Sequence, residues 1–204
     1  MSKVSDKTKK RLAEAFLQSG LLKFGDFTLK SGLKSPFYID LRKAQSYPKT
    51  FHIVIDAYIE MMANINKSVN IAGIPEAATP FAAVVGYKMS RSIVQPRKVI
   101  KDHGTKSLVE GDYKKGDRVV LLDDLITTGE SKLETIKQVE SVGLKVDRLL
   151  VLFHRQQGGI DLVTKAGYKI EAAMTLTELM DILYFAGKIK KGQYDKVVEY
   201  IQSS

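Results

Sequence analysis

From Val69 onward the sequence alternates short, uninterrupted apolar runs with stretches of helical periodicity, and few folds accommodate that pattern. The runs are VNIAGI (69–74), RVVLLDD (118–124), VDRLLVLFHR (146–155) and YKIEAAM (168–174). A strand that is apolar on both faces must be covered on both faces, and helices that cross over a parallel sheet supply that cover. Between the runs, residues 78–90 and 130–143 read as helices. In the second, Leu133, Ile136, Val139 and Val142 recur every third position, and Gly143 is a natural stop. Upstream, residues 5–19 predict an amphipathic helix with Leu12, Ala15, Phe16 and Leu17 near one face. FTLKSG (27–32) and SPFYIDLR (35–42) predict two short strands around a glycine turn, and Pro48 opens a helix to about Ile65. The last third ends in helices. The 204 residues suffice for one domain with a full core and are short for two, so residues 1–204 read as a single α/β domain.

Ligands of such sheets bind beyond the carboxyl ends of the strands. There the sequence runs VVLLDDLITTGE (119–130): four apolar residues, two aspartates, then Thr127, Thr128 and Gly129 before a helix. Adjacent carboxylates after a buried strand carry an electrostatic cost unless something positive or hydrogen-bonding meets them. The N–H groups at a helix start are unpaired and the dipole favours an anion. Threonine hydroxyls add donors and Gly129 permits close backbone approach. The turn therefore suits a phosphate, and the carboxylates suit sugar hydroxyls or the vicinity of a divalent metal. Read as structure alone, the aspartates end a strand and Thr128 caps a helix.

Several classes are excluded or disfavoured. Without cysteine there is no disulfide, thiol nucleophile or thiolate metal site. Neither GxxxxGK[ST] nor GxGxxG occurs, against a Walker-type NTPase and a dinucleotide fold. No apolar run has the length of a membrane helix, and the N-terminus lacks the apolar core of a signal peptide, so a cytoplasmic protein without membrane association is expected. Lys+Arg 32 against Asp+Glu 23, a net charge of +9, suggests an anionic partner, although many of the lysines are scattered.

The 119–131 string resembles the phosphoribosyl-pyrophosphate (PRPP) signature of type I phosphoribosyltransferases. That resemblance implies their fold, a mostly parallel central sheet with helices on both faces and a small N-terminal hood. The hood would comprise residues 1 to about 45 with late C-terminal segments. It also implies that Asp123 and Asp124 hold the ribose hydroxyls while Leu125, Ile126, Thr127, Thr128, Gly129, Glu130 and Ser131 wrap the 5′-phosphate. PRKVIKDHGTK (96–106) clusters Arg97, Lys98, Lys101, His103 and Lys106, and resembles the catalytic loop of orotate phosphoribosyltransferases. A charge run is more often a solvated face, but a mobile cationic loop can close over a polyanion. FTLKSGLKSPFYID (27–40) resembles the same family's hood, which makes Lys30 a PRPP contact and Tyr38 and Ile39 orotate contacts. HRQQGG (154–159) resembles the family's late-strand arginine, which puts Arg155, with Thr127, on orotate; a guanidinium is the natural partner of its carboxylate.

The resemblance covers about residues 10–187 in order. It implies transfer of the phosphoribosyl group of PRPP to orotate N1, yielding orotidine 5′-phosphate and pyrophosphate for UMP synthesis. Lys98, Lys101, His103, Arg97 and Asp124 would be catalytic, Mg²⁺ would ride on PRPP with no protein metal site, and no general base is assigned. It further implies a homodimer in which the loop and Arg97 reach the neighbour's site, and allows an orotidylate decarboxylase partner. No decarboxylase segment follows in these residues, so a separate transferase is expected rather than a fused UMP synthase. The family pattern is broken at Glu76 and Ala77, where many members carry Tyr-Lys, and at His154, where Asp is common. Purine or uracil phosphoribosyltransferases share the acid turn but not the hood and loop strings. A non-catalytic RNA-binding regulator on this fold would need a basic face away from the turn, whereas the cations that group lie in the loop, so no nucleic-acid partner is expected.

Overall fold

A computed structural model describes residues 4–28, 32, 34–98 and 107–203. Helix α1 (Asp6–Gln18) leads into an antiparallel ribbon of β1 (Leu22–Thr28) and β2 (Lys34–Ile39), followed by a 3₁₀ turn at Leu41–Ser46 and α2 (Pro48–Met62). Then come β3 (Asn70–Gly73), α3 (Thr79–Met89), the short β4 (Gln95–Pro96) and β5 (Val109–Glu110), and β6 (Arg118–Ile126). The chain closes with α4 (Glu130–Ser141), β7 (Lys145–His154), α5 (Gly159–Lys165), β8 (Ile170–Thr175), α6 (Leu176–Phe185) and α7 (Lys191–Gln202).

The central sheet has the order β3-β6-β7-β8, and each neighbouring pair is parallel. Its strands alternate between two cores, as the uninterrupted apolar runs require. Val120, Leu122, Leu150 and Leu152 face a core shared with α1, α2, α6 and α7. Val119, Leu121, Leu149 and Val151 face a second core built with α4 and α5, where Ile136, Val139 and Val163 are fully buried. The two faces of one strand thus carry the same chemistry because both are interior.

Three expectations are corrected. The strand expected at 27–32 is β1 at Leu22–Thr28, an earlier segment whose pairing with β2 is broken by an irregularity between Phe24 and Phe27. The strand expected to end at Asp124 continues to Ile126, because Leu125 and Ile126 still pair with Phe153 and His154 of β7. Helix α5 was not expected: it is short, and its two-glycine start reads as loop.

Helix α1 is fastened at its first turn to two other helices. Thr8 Oγ1 donates to Glu60 Oε1 at 2.6 Å, and Lys9 Nζ meets Glu178 Oε1 at 2.8 Å. Glu178 also completes the capping box of α6 with Thr175. Helix α7 packs on β2, where Phe37 and Tyr200 meet edge to face at 5.9 Å. Among the described residues no helix is long and apolar enough to cross a membrane.

Candidate active site

The carboxyl ends of β6 and β7 open on one side of the sheet, and the two aspartates there are not equivalent. Asp123 is 4% exposed. Its Oδ1 accepts the Asp124 N–H at 2.9 Å, and its Oδ2 lies 2.6 Å from Lys132 Nζ. Its backbone carbonyl accepts a hydrogen bond from the buried Tyr58 hydroxyl at 2.7 Å. Burial of that phenol, with the two aspartates near it, pushes its pKa well up, so it stays a donor. Asp124 is half-buried and lines the cavity beside it; its Oδ1 accepts the Leu125 N–H at 2.7 Å. Burial first, then the neighbouring Asp123, raise its carboxyl pKa to about 7, while the Leu125 N–H and Lys132 pull the other way.

The turn after β6 bears on the choice between a capped helix and an anion site. Gly129, not Thr128, is the N-cap of α4, and no side chain caps that end. Thr128, Glu130 and Ser131 are exposed and Thr127 is half-buried. Gly129 has φ 91°, and a Cβ there would stand 2.9 Å from the Gly159 carbonyl oxygen. A Cβ on Gly159 would stand 2.2 Å from the Thr127 carbonyl oxygen. The 127–129 turn and the start of α5 therefore interlock through two glycines, which joins the acid turn to the loop bearing Arg155.

A cavity of about 470 Å³ runs from the aspartates toward β4. Its walls include Arg42, Pro75, Ala77, Arg97, Lys98, Asp124, Glu134 and Gln138. Arg97 is ion-paired with Glu110 of its own chain. The Gln138 side-chain amide donates to the carbonyls of Arg97 and Leu108 at 2.7 and 2.8 Å, so α4 clasps both ends of the segment that carries Lys101 and His103. Lys101, His103 and Lys30 lie outside the described residues. Ala77 lines the cavity, whereas Glu76 is exposed and is not among its lining residues.

Arg155 follows directly on β7, and its N–H bonds the Ile126 carbonyl at 3.0 Å. Its guanidinium stands 5.3 Å from the centre of the Phe37 ring. Its Nε is buried and has no hydrogen-bond partner among the described residues. Burial lowers its pKa, against a hydrogen bond with Tyr200. Within β2, Phe37 and Ile39 are buried, while Tyr38 is half-buried and packs on Phe27 at 5.7 Å. Phe37 is thus the core member of the aromatic pair. His154 is half-buried, and burial lowers its pKa while Asp161 opposes this.

The sequence reading missed Lys132, Arg42, Gln138 and Tyr58. Lys132 left a local signal: a cation in the first turn of a helix opposes the dipole and needs a partner. For Tyr58 and Gln138, 65 and about 30 to 40 residues from the groups they bind, none exists.

A parallel sheet whose strand ends present an acid pair, a helix N-terminus without a side-chain cap and a cavity lined by both basic and acidic side chains fits the phosphoribosyltransferase class, and the family model for the phosphoribosyl transferase domain matches residues 49–170. The orotate phosphoribosyltransferase of Pyrobaculum islandicum is 35% identical over 191 residues, covering 93% of this chain and 97% of that protein. The solved orotate phosphoribosyltransferase of Aeropyrum pernix superposes with a TM-score of 0.75 at 33% identity, covering 88% of this chain and 99% of that one. The UMP synthase of Leishmania donovani superposes at 0.85 with 37% identity, covering 96% of this chain and 42% of that one. The chain belongs to the orotate phosphoribosyltransferases of the type I phosphoribosyltransferase family. It spans 36% of the bifunctional PyrF/PyrE enzyme of Nostoc and 41% of the uridine 5′-monophosphate synthase of Caenorhabditis elegans.

Proposed function

We propose that this chain transfers the phosphoribosyl group of PRPP to orotate N1, forming orotidine 5′-phosphate and pyrophosphate in the pyrimidine route to UMP. The observation that carries this reading is the interlock of the acid turn with the Arg155 loop. It puts a phosphate-type turn and a buried guanidinium with an unpartnered Nε at adjacent strand ends. Asp124 accepts hydrogen bonds from the ribose hydroxyls, and the first N–H groups of α4 with Thr127 and Thr128 take the 5′-phosphate. Arg155 pairs with the orotate carboxylate, Tyr38 and Ile39 flank the ring, and Lys30 touches PRPP.

In the reaction the N1–C1′ bond forms as the C1′–O bond to pyrophosphate breaks, and its electron pair leaves on pyrophosphate. The N1 proton passes to solvent without a dedicated base. Positive donors aimed at the departing pyrophosphate lower the barrier; Arg97, Lys98, Lys101 and His103 fill that role. Mg²⁺ bound to PRPP neutralises the same charge. Chelation of Mg²⁺ is accordingly expected to stop turnover without lowering the melting temperature of the free protein. A matching loss of Tm would reveal a structural metal instead.

The test is PRPP- and Mg²⁺-dependent loss of orotate absorbance, with uracil, hypoxanthine and adenine as controls; use of a purine or uracil at the orotate rate would overturn the assignment. We place the enzyme in the cytoplasm as a homodimer whose loop is shared, with a decarboxylase as downstream partner. The in-chain pairing of Arg97 with Glu110 makes the shared site testable. Inactive Arg97→Ala and Asp124→Asn proteins, mixed and allowed to exchange subunits, should regain up to about a quarter of wild-type activity, since random mixing makes half the dimers hybrid with one intact site each. No recovery after verified exchange would assign each site to one chain.

A further inference from the structure

The Lys132 ion pair is not explained by helix stability. Lys132 occupies the first turn of α4, where a cation opposes the helix dipole. Its side chain is 10% exposed and that of Asp123 is 5% exposed, so both charges are withdrawn from water. Such a pair gains little over an apolar pair of the same shape, although removing one member leaves a costly bare charge. The placement is informative: Lys132 lines the cavity that also holds Asp124, Lys98 and Arg97. Any substrate bearing pyrophosphate and phosphate must bring several negative charges toward two adjacent carboxylates, and Glu134 lines the same cavity. Lys98, Arg97 and Arg42 also line it, but Arg97 is paired with Glu110 and Arg42 with Asp40. Lys132 is the cation on Asp123.

On the reading that this site binds PRPP, we propose that Lys132 is a positioning residue for that substrate. Its ammonium neutralises Asp123 and fixes its rotamer, so the pair meets the polyanion with one uncompensated carboxylate, Asp124, aimed at the ribose hydroxyls. Lys132 acts through Asp123 and not by touching the phosphates.

The experiment is a double-mutant cycle read as separate KM and kcat values. Lys132→Met should raise KM for PRPP about tenfold or more, with KM for orotate within about twofold of wild type. Lys132→Gln keeps a donor near Asp123 but removes the charge, which protects the fold, and should raise KM for PRPP about threefold or more. In an Asp123→Asn background the Lys132→Met change should add less than twofold. Wild-type KM for PRPP in folded Lys132→Gln protein would show that the lysine is only structural. Full additivity in the cycle would show that Lys132 acts on the substrate directly; either result overturns the proposal. Wild-type protein unable to turn over orotate with PRPP, or to bind PRPP in calorimetry, would instead defeat the reading of the site itself.

Discussion

Asp124→Asn should cut kcat/KM for PRPP by about 100-fold or more while raising the melting temperature of the free protein. The two effects share one cause. Burial and the adjacent Asp123 lift the Asp124 carboxyl to about 7 from an ordinary value of 3.8. A carboxyl whose folded pKa is raised favours the folded state only while protonated; that contribution is complete below about pH 4 and is lost as pH rises through about 7. At pH 8 the folded protein therefore holds an unfavourable buried charge, which asparagine removes at nearly constant shape. A gain of about 1–3 kcal/mol corresponds to a Tm rise of about 3–10 °C for a chain of this size, and the difference should vanish near pH 4. Binding requires the opposite state, because the ionised carboxylate is the better acceptor for ribose hydroxyls. PRPP affinity of the wild type should accordingly climb between about pH 6 and 8, and asparagine should flatten that rise. Melting curves at two pH values beside PRPP titrations decide the matter. A variant that loses stability at pH 8 would mean that Asp124 is held by contacts of the fold and is not poised for a ligand.

Arg155→Ala should raise KM for orotate by about 10- to 100-fold, the loss of a charge-assisted pair, and leave KM for PRPP within about threefold. The buried Nε and the Phe37 ring beneath the guanidinium show why the effect should be large. A planar cation held over an aromatic face is pre-aimed, and its Nε is withdrawn from water. The same variant should lose its preference for orotate over uracil, since discrimination rests on a polar group left unpaired by the wrong base. Initial rates with both bases, at saturating PRPP, measure this directly. Equal loss toward both substrates would place Arg155 in the scaffold.

The four strands of the central sheet and most helices were legible because each is written in a short window. Continuous apolar runs state that both faces of β6 and β7 are interior, and the two separate cores on either side of Val119–Leu122 are the consequence. The Asp-Asp-x-x-Thr-Thr-Gly turn was equally legible, being one contiguous strand-turn-helix. Its helix start leaves N–H groups without a side-chain cap, whatever the rest of the chain does.

Tertiary structure alone decided what each of these residues is paired with. Asp123 and Asp124 are adjacent and chemically identical in sequence. One is closed off by Lys132 and the Asp124 N–H, while the other is left in the cavity with a raised pKa. Phe37 and Tyr38 were a pair of aromatics on one strand, and only the packing of α7 against β2 makes Phe37 the platform under Arg155. Gln138 reaches across to the two ends of the cationic segment, and Tyr58 reaches the backbone of β6 from α2. Such contacts join residues tens of positions apart, and no periodicity carries them. The sequence by itself determined the layers and the place of the acid turn, because backbone geometry and hydrophobic pattern are local. The tertiary structure decided charge balance and side-chain pairing, because electrostatics and burial depend on whatever the fold brings within a few ångströms.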